Sequence, residues 1–189
     1  MTKNIMIVGV GGQGTLLTGK ILGNALLAMG YDVKVSEVHG MAQRGGAVVT
    51  YVRYGKEVFS PVINEGEADI ILAFEQLEAA RWLSYLKKDG CIVINMQRIN
   101  PMPVITGVAE YPQDLLDKIK SMANEVIAED ALAIAKQAGN IKAVNVSLLG
   151  VAAKKLDIDY DVWVETIKKV VPAKFVDLNL KAFELGCGV

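Results

Sequence analysis

Ile5-Met6-Ile7-Val8-Gly9-Val10-Gly11-Gly12-Gln13-Gly14 is the stretch that decides the fold: a short apolar run leading straight into closely spaced glycines. An unbroken apolar run at 5–8 suits a strand buried on both faces of a parallel sheet, where polar alternation is not needed. Beyond the glycines, Leu17, Ile21, Leu22, Ala25, Leu26 and Met29 recur at three- and four-residue intervals, which predicts a helix ending near Gly30. Residues 31–37 then alternate, with Val33 and Val35 on one face, and predict a second strand that closes a right-handed β-α-β unit.

Working outward, residues 48–54, Gly55-Lys56 and residues 58–63 read as a strand, a turn and a second extended piece. Pro61 confines that second piece to an edge or an irregular strand, so a hairpin inserted between β-α units is expected. Residues 68–74 predict a further buried strand, 76–87 a helix, and 91–95 the next strand after Asp89-Gly90. Pro101 and Pro103 break the chain before a short helix at 115–121, a final strand at 125–128 and an alanine-rich helix at 130–138. From Asn145 onward the pattern is helical, at 146–155, 160–171 and on to about Leu185, with Pro172 separating the last two. The expected architecture is three-layer α/β/α with a mainly parallel, partly mixed sheet, a Rossmann-like start and helical C-terminal segments. A chain of 189 residues suits a single domain over 1–189.

Composition narrows the function classes. Lys plus Arg number 20 against 21 for Asp plus Glu, without a block of like charge, so no electrostatic footprint for nucleic acid is present. With 52% hydrophobic residues the chain can build a substantial core, yet no apolar run approaches the roughly 20 residues that span a bilayer. The apolar start is too short for a signal-peptide core, and a cytoplasmic location is expected. Two cysteines, Cys91 and Cys187, fall short of the roughly four ligands of an ordinary iron–sulfur cluster, and a single histidine argues against a His-based zinc site.

Gly9-Val10-Gly11-Gly12-Gln13-Gly14 matches G-x-G-x-x-G between a predicted strand and a predicted helix, the context that gives the motif physical meaning. Without side chains, main-chain N–H groups can approach an anion at the positive end of the helix; a phosphate, pyrophosphate or carboxylate would each satisfy them. Glu37 stands 23 residues after Gly14 (37 − 14 = 23), where a nicotinamide-binding chain would carry its ribose-binding acid. A stand-alone NAD(P)-binding oxidoreductase is therefore one reading, and glycines serving only tight strand–helix packing another. The match of 14–20 to G-x-x-x-x-G-K is discarded, because Ile21 stands where a magnesium-binding Ser or Thr is required.

A second polar loop, Ser36-Glu37-Val38-His39-Gly40-Met41-Ala42-Gln43-Arg44-Gly45-Gly46, follows the carboxyl end of a predicted strand, where ligands of open α/β sheets gather. With this loop, the opening 7–14, the segment Ala68-Asp-Ile-Ile-Leu-Ala-Phe-Glu75 and Asn145-Val-Ser-Leu-Leu-Gly150, the chain resembles the gamma-type subunit of 2-oxoacid:ferredoxin oxidoreductases end to end, and within it the indolepyruvate branch. The resemblance implies oxidative decarboxylation of arylpyruvates with coenzyme A and ferredoxin, giving aryl-acetyl-CoA. It also implies a large partner subunit that carries thiamine diphosphate and iron–sulfur clusters, since this chain has neither a thiamine-diphosphate motif nor enough cysteines. A subunit serving purely as scaffold is the remaining alternative.

Candidate site residues follow. Gly9, Gly11, Gly12, Gln13 and Gly14 would form the anion turn. Arg44, with its planar bidentate fork, would meet a substrate carboxylate or a coenzyme A phosphate, or order the loop by an ion pair. Gln43 would hydrogen-bond substrate, and His39 is the one candidate for proton transfer. Glu37 and Glu75 could face the crevice, Glu75 more simply stabilising the helix after it and Asn145 capping the helix from Val146. Trp82 and Trp163 read as core or interface anchors.

Overall fold

The computed structural model describes residues 2–40 and 46–189. A six-stranded sheet runs in the order β2-β3-β1-β4-β5-β6, built from β1 (Lys3–Val10), β2 (Asp32–His39), β3 (Ala47–Gly55), β4 (Ala68–Ala73), β5 (Leu86–Asn95) and β6 (Glu125–Glu129). Strands β1, β4, β5 and β6 are parallel neighbours, and β3 pairs antiparallel with both β1 and β2. The sheet is mixed for that reason, as expected. The predicted hairpin, however, is formed by other strands. Residues 48–54 pair with β2 over the register Asp32↔Gly55 to His39↔Val48, whereas 58–63 stay irregular. Pro61 withholds a donor there, and the backbone carbonyls of Ser60 and Val62 accept from Arg53 instead of from a strand. Strand β3 thereby occupies the place beside β1 that a simple β-α-β unit would give to β2.

Alternation along each central strand fills two cores. Ile5 and Ile7 of β1 face one side with Leu72 and Val93, under helices α1 (Thr15–Ala28), α5 (Ala131–Ala138), α6 (Val144–Ala153), α7 (Tyr160–Val170) and α8 (Val176–Cys187). Met6 and Val8 face the other side with Ile71 and Ile92, covered by α2 (Gln76–Arg81) and α4 (Leu115–Met122). A four-residue helix, α3 (Met102–Ile105), follows Pro101 where only a chain break was expected. Helix α2 is shorter than the predicted 76–87: it ends at Arg81, a 3-10 turn spans Leu83–Tyr85, and β5 begins at Leu86. Asp89-Gly90 lies inside β5 rather than before it, next to an irregularity in the pairing with β4.

The C-terminal helices pack unusually close. A Cβ on Gly150 of α6 would stand 2.3 Å from the Phe183 carbonyl oxygen of α8, and one on Gly186 would stand 2.2 Å from that of Ser147. Only glycine permits that crossing distance. Trp163 is 2% exposed between these helices, its ring 5.4 Å from that of Phe183, so it is a core residue. Among the described residues no helix is long and apolar enough to cross a membrane.

Candidate functional site

The parallel strands end at Val10, Ala73, Asn95 and Glu129, and the candidate residues collect at this carboxyl edge. Here β1 gives way to the glycine turn because Gly12 (φ 101°) and Gly14 (φ 85°) adopt left-handed backbone. Gly14 is the N-cap of α1 and offers no side-chain acceptor, and the first turn of α1 holds no acid. The first helical bond runs from Thr18 N–H to the Gly14 carbonyl at 3.1 Å, so the amides of Thr15, Leu16 and Leu17 precede it and point outward without an intrahelical acceptor. A helix N-terminus of this kind favours negative charge, which makes the turn the candidate anion seat.

A crevice of about 420 Å³ opens over these amides, lined by Gly11, Gly12, Gly14, Thr15, Glu37 and His39 among others. Glu37 and His39 come from the end of β2, carried there by their pairing with Thr50 and Val48 of β3. Glu37 is half-buried and accepts from the Thr50 hydroxyl at 3.1 Å. His39 is exposed, its Nδ1 3.2 Å from the carbonyl oxygen of Gly40, its own neighbour. Gln43 and Arg44 lie outside the described residues. The loop that carries them leaves the sheet at His39 and returns at Gly46, whose carbonyl accepts from Gly11 N–H at 2.8 Å. Glu37 and His39 of the second motif are thus brought to the same crevice as the glycine turn.

Gln13 behaves differently from its glycine neighbours. Its Oε1 accepts from Val10 N–H at 2.7 Å, and its Nε2 donates to the Phe74 carbonyl at 3.0 Å and to Gln97 Oε1 at 3.3 Å. The side chain therefore braces the turn from below. A Cβ on Gly9 would come within 2.9 Å of Gln13 Oε1 and 3.0 Å of the Phe74 Cβ, so this glycine serves the brace, not the anion seat. Asn95, fully buried at the end of β5, adds a bond from Nδ2 to the same Phe74 carbonyl at 3.1 Å and accepts from Ala131 N–H.

Glu75, 1% exposed, follows β4 and caps α2 as expected. Its Oε2 accepts from Leu77 N–H at 2.6 Å and Glu78 N–H at 3.0 Å, and its Oε1 accepts from Ile99 N–H at 3.1 Å and from the Tyr111 hydroxyl. One carboxylate thus fixes the start of α2, the exit from β5 and the 111 loop. Burial and this bond push the Tyr111 hydroxyl well above the usual phenol range, which keeps it a donor. Glu75 also lines a second, smaller cavity of about 300 Å³ beside Val10, Gly46 and Pro101. Glu78, 5% exposed, borders it as well; burial raises its carboxyl above the usual range, with Arg81 opposing and Glu75 reinforcing the shift.

Sequence reasoning missed Asn145, Asn95, Gln97 and Glu78 as parts of this edge. Asn145 is not a cap: α6 starts one residue earlier, at Val144, and Asn145 is buried beneath the glycine turn, with Nδ2 3.4 Å from the Gly14 carbonyl. A polar residue ending the apolar run Cys91-Ile-Val-Ile-Asn95 was the available signal for Asn95. Glu78 gave none, since an acid in the first turn of a helix is ordinary.

The chain's own residues do not fit an iron–sulfur cluster or a metal-tethered diphosphate. Cys91 is buried in β5 with its thiol pushed up to about 12 by burial, and Cys187 lies on α8 with its thiol likewise raised. Among the described residues no group of three or more His, Cys, Asp or Glu converges to hold a metal ion.

Residues 4–189 match the family model described as pyruvate ferredoxin/flavodoxin oxidoreductase. The indolepyruvate oxidoreductase subunit IorB of Thermococcus kodakarensis is 44% identical over 97% of this chain and 93% of its own length; that of Methanothermobacter thermautotrophicus is 36% identical over 100% and 97%. Among solved structures, the keto/oxoacid ferredoxin oxidoreductase gamma subunit of Geobacter sulfurreducens shares the fold with a TM-score of 0.72 at 24% identity, over 97% of this chain and 95% of that one.

Proposed function

Since the chain belongs to the pyruvate ferredoxin/flavodoxin oxidoreductase family, we propose that it is the small, non-autonomous subunit of an indolepyruvate:ferredoxin oxidoreductase. In this reading a cytoplasmic hetero-oligomer oxidatively decarboxylates an arylpyruvate, passes the acyl group to coenzyme A and delivers the electrons to ferredoxin. Thiamine diphosphate and the iron–sulfur clusters reside on a large partner subunit. End-to-end identity with IorB proteins carries the assignment to the indolepyruvate branch. The geometry of the carboxyl edge supports one reading of what the small subunit contributes.

That contribution is an anion seat with a polar lip. The outward amides of Thr15, Leu16 and Leu17 receive a negatively charged group of a reactant, either the 2-oxoacid carboxylate or a coenzyme A phosphate. Arg44, read from the sequence alone, supplies a charged donor for a substrate carboxylate or a coenzyme A phosphate. Glu37 accepts a hydroxyl or amide donor from the ligand, and His39 offers a second polar contact. The brace formed by Gln13, Asn95 and Gln97 holds the turn in place before the ligand arrives, so little ordering cost falls on binding. No electron-transfer or carbanion step is assigned to residues of this chain.

Reconstitution tests the proposal. The isolated chain should be colourless and inactive, and mixing with the large subunit should produce CoA-dependent ferredoxin reduction by indolepyruvate. Arg44→Ala in that complex should raise KM by about tenfold, the scale of one lost charge-assisted hydrogen bond. A rise for coenzyme A alone identifies a phosphate, and a rise for indolepyruvate alone a carboxylate; unchanged constants for both sink the anion contact. Because Glu37 sits beside the glycine turn as a ribose-binding acid would, the stand-alone nicotinamide reading is checked in the same preparation. Tight NAD binding by the isolated chain, abolished by Glu37→Ala, would replace the subunit assignment.

A further inference from the structure

At the opposite end of the sheet, where β5 begins, the second helical layer holds a cavity of about 450 Å³ that the glycine-turn site does not use. Its floor is apolar: Leu83 and Leu86 from the 3-10 turn and the start of β5, and Leu115 and Ile119 from α4. Leu115 and Ile119 are 6% and 1% exposed, so the floor is continuous with the core. Its rim carries Arg81, Lys87, Lys88 and Lys118, and no acidic residue lines the cavity. Two of the cations are engaged, Lys87 with Asp69 at 2.7 Å and Arg81 with Glu78 at 3.5 Å. Lys88 and Lys118 are exposed and make no ion pair among the described residues. Met122, 75% exposed, forms a pliable outer wall.

We propose that this cavity is a separate binding site for a small carboxylate with an aromatic or branched apolar body. The volume falls within the roughly 300–1,000 Å³ of ordinary ligand pockets. A polyphosphate would satisfy the rim but bury nothing against the leucines, and a neutral apolar molecule would cover the floor while leaving Lys88 and Lys118 without a counter-charge. An amphipathic monoanion matches both halves. The site is independent of the subunit assignment and of the glycine turn, since it lies at the amino end of β5 and is built from α2, the 3-10 turn and α4.

Amide NMR of the full chain, titrated with phenylacetate and with 4-methylpentanoate, tests this. The expected result is saturable shifts at Leu83, Ser84, Ile119 and Met122. Phenylacetamide, the uncharged analogue, and acetate, which lacks the body, should both bind much more weakly. The double variant Lys88→Glu/Lys118→Glu should lose about tenfold in affinity, the scale of two exposed ion contacts. Met122→Trp, which fills the mouth from an exposed position, should abolish the shifts with Tm retained and decides the case if the double variant fails to fold. Absence of saturable shifts in the natural protein, shifts centred elsewhere, equal binding of phenylacetamide, or unchanged affinity in the variants would each overturn the proposal.

Discussion

The carboxyl edge of the sheet divides into two halves that spend their polar groups in opposite ways. Around β4 and β5 nearly every polar atom is used internally: Gln13 and Asn95 both donate to the Phe74 carbonyl and to Gln97 Oε1, and Glu75 takes four donors. Around the glycine turn the outward amides of α1 have no intrahelical partner, and Glu37 and His39 make only neighbourly contacts. A buried network that is fully satisfied becomes rigid, whereas an edge with spare donors is still able to accept a ligand. The tied half positions the open one. If so, substitutions in the first should be read mainly in stability and those in the second mainly in function.

Glu75→Ala carries the largest expected effect. It strips the acceptor from Leu77 N–H, Glu78 N–H, Ile99 N–H and the Tyr111 hydroxyl together, at a side chain that is 1% exposed. Losing a cap and leaving several buried donors unmet should cost about 3–5 kcal/mol, measured by urea unfolding. A cost below about 1 kcal/mol would mean that the network is not what holds this half.

Gly14→Ala comes next and tests the open half. A non-glycine residue at φ 85° costs about 1–2 kcal/mol, and the added Cβ would stand 2.9 Å from Asn145 Nδ2. The chain should still fold, with a modest fall in Tm. In the reconstituted complex, KM for the anionic reactant should rise by about tenfold, because the amides that follow Gly14 are displaced. Full activity with the same loss of stability would move the glycines to the packing role that Gly9 already plays.

The open half was largely legible in the sequence, and the tied half was not. Residues 5–14 and 17–29 carry local signals, apolar runs, glycines and helical spacing, that hold in any strand–turn–helix. The insertion of β3 between β2 and β1 is a long-range pairing choice, and no feature within 47–55 specifies its neighbours. Asn145 shows the same limit. A polar residue before an apolar helical run reads as a cap, yet its partner is Gly14, 131 residues away. Glu75 was read correctly as a helix cap because that role is local; its bonds to Ile99 and Tyr111 are not.

The smallest expected effect concerns Glu78, the one carboxylate of the tied half with an oxygen, Oε2, that is buried and unpartnered among the described residues. Burial raises its carboxyl above the ordinary 4.5, so the folded chain keeps this proton to a higher pH than the unfolded chain does. The stabilisation it brings is complete below the unfolded pKa and is lost as pH rises through the raised folded value. Glutamine has no proton to give up. Glu78→Gln should therefore flatten the decline of Tm as pH rises above about 4.5 by about 1–3 °C, a shift equivalent to about 1 kcal/mol or less in a chain of this size. Parallel Tm profiles for the two proteins would show that Glu78 ionises as an exposed carboxylate does, and the tied half would then hold its charge with a partner or a water at Oε2. A flatter profile in the variant would show that the Arg81 contact at Oε1 does not offset the burial of Glu78, and this carboxylate is then where that half should begin to loosen as pH rises.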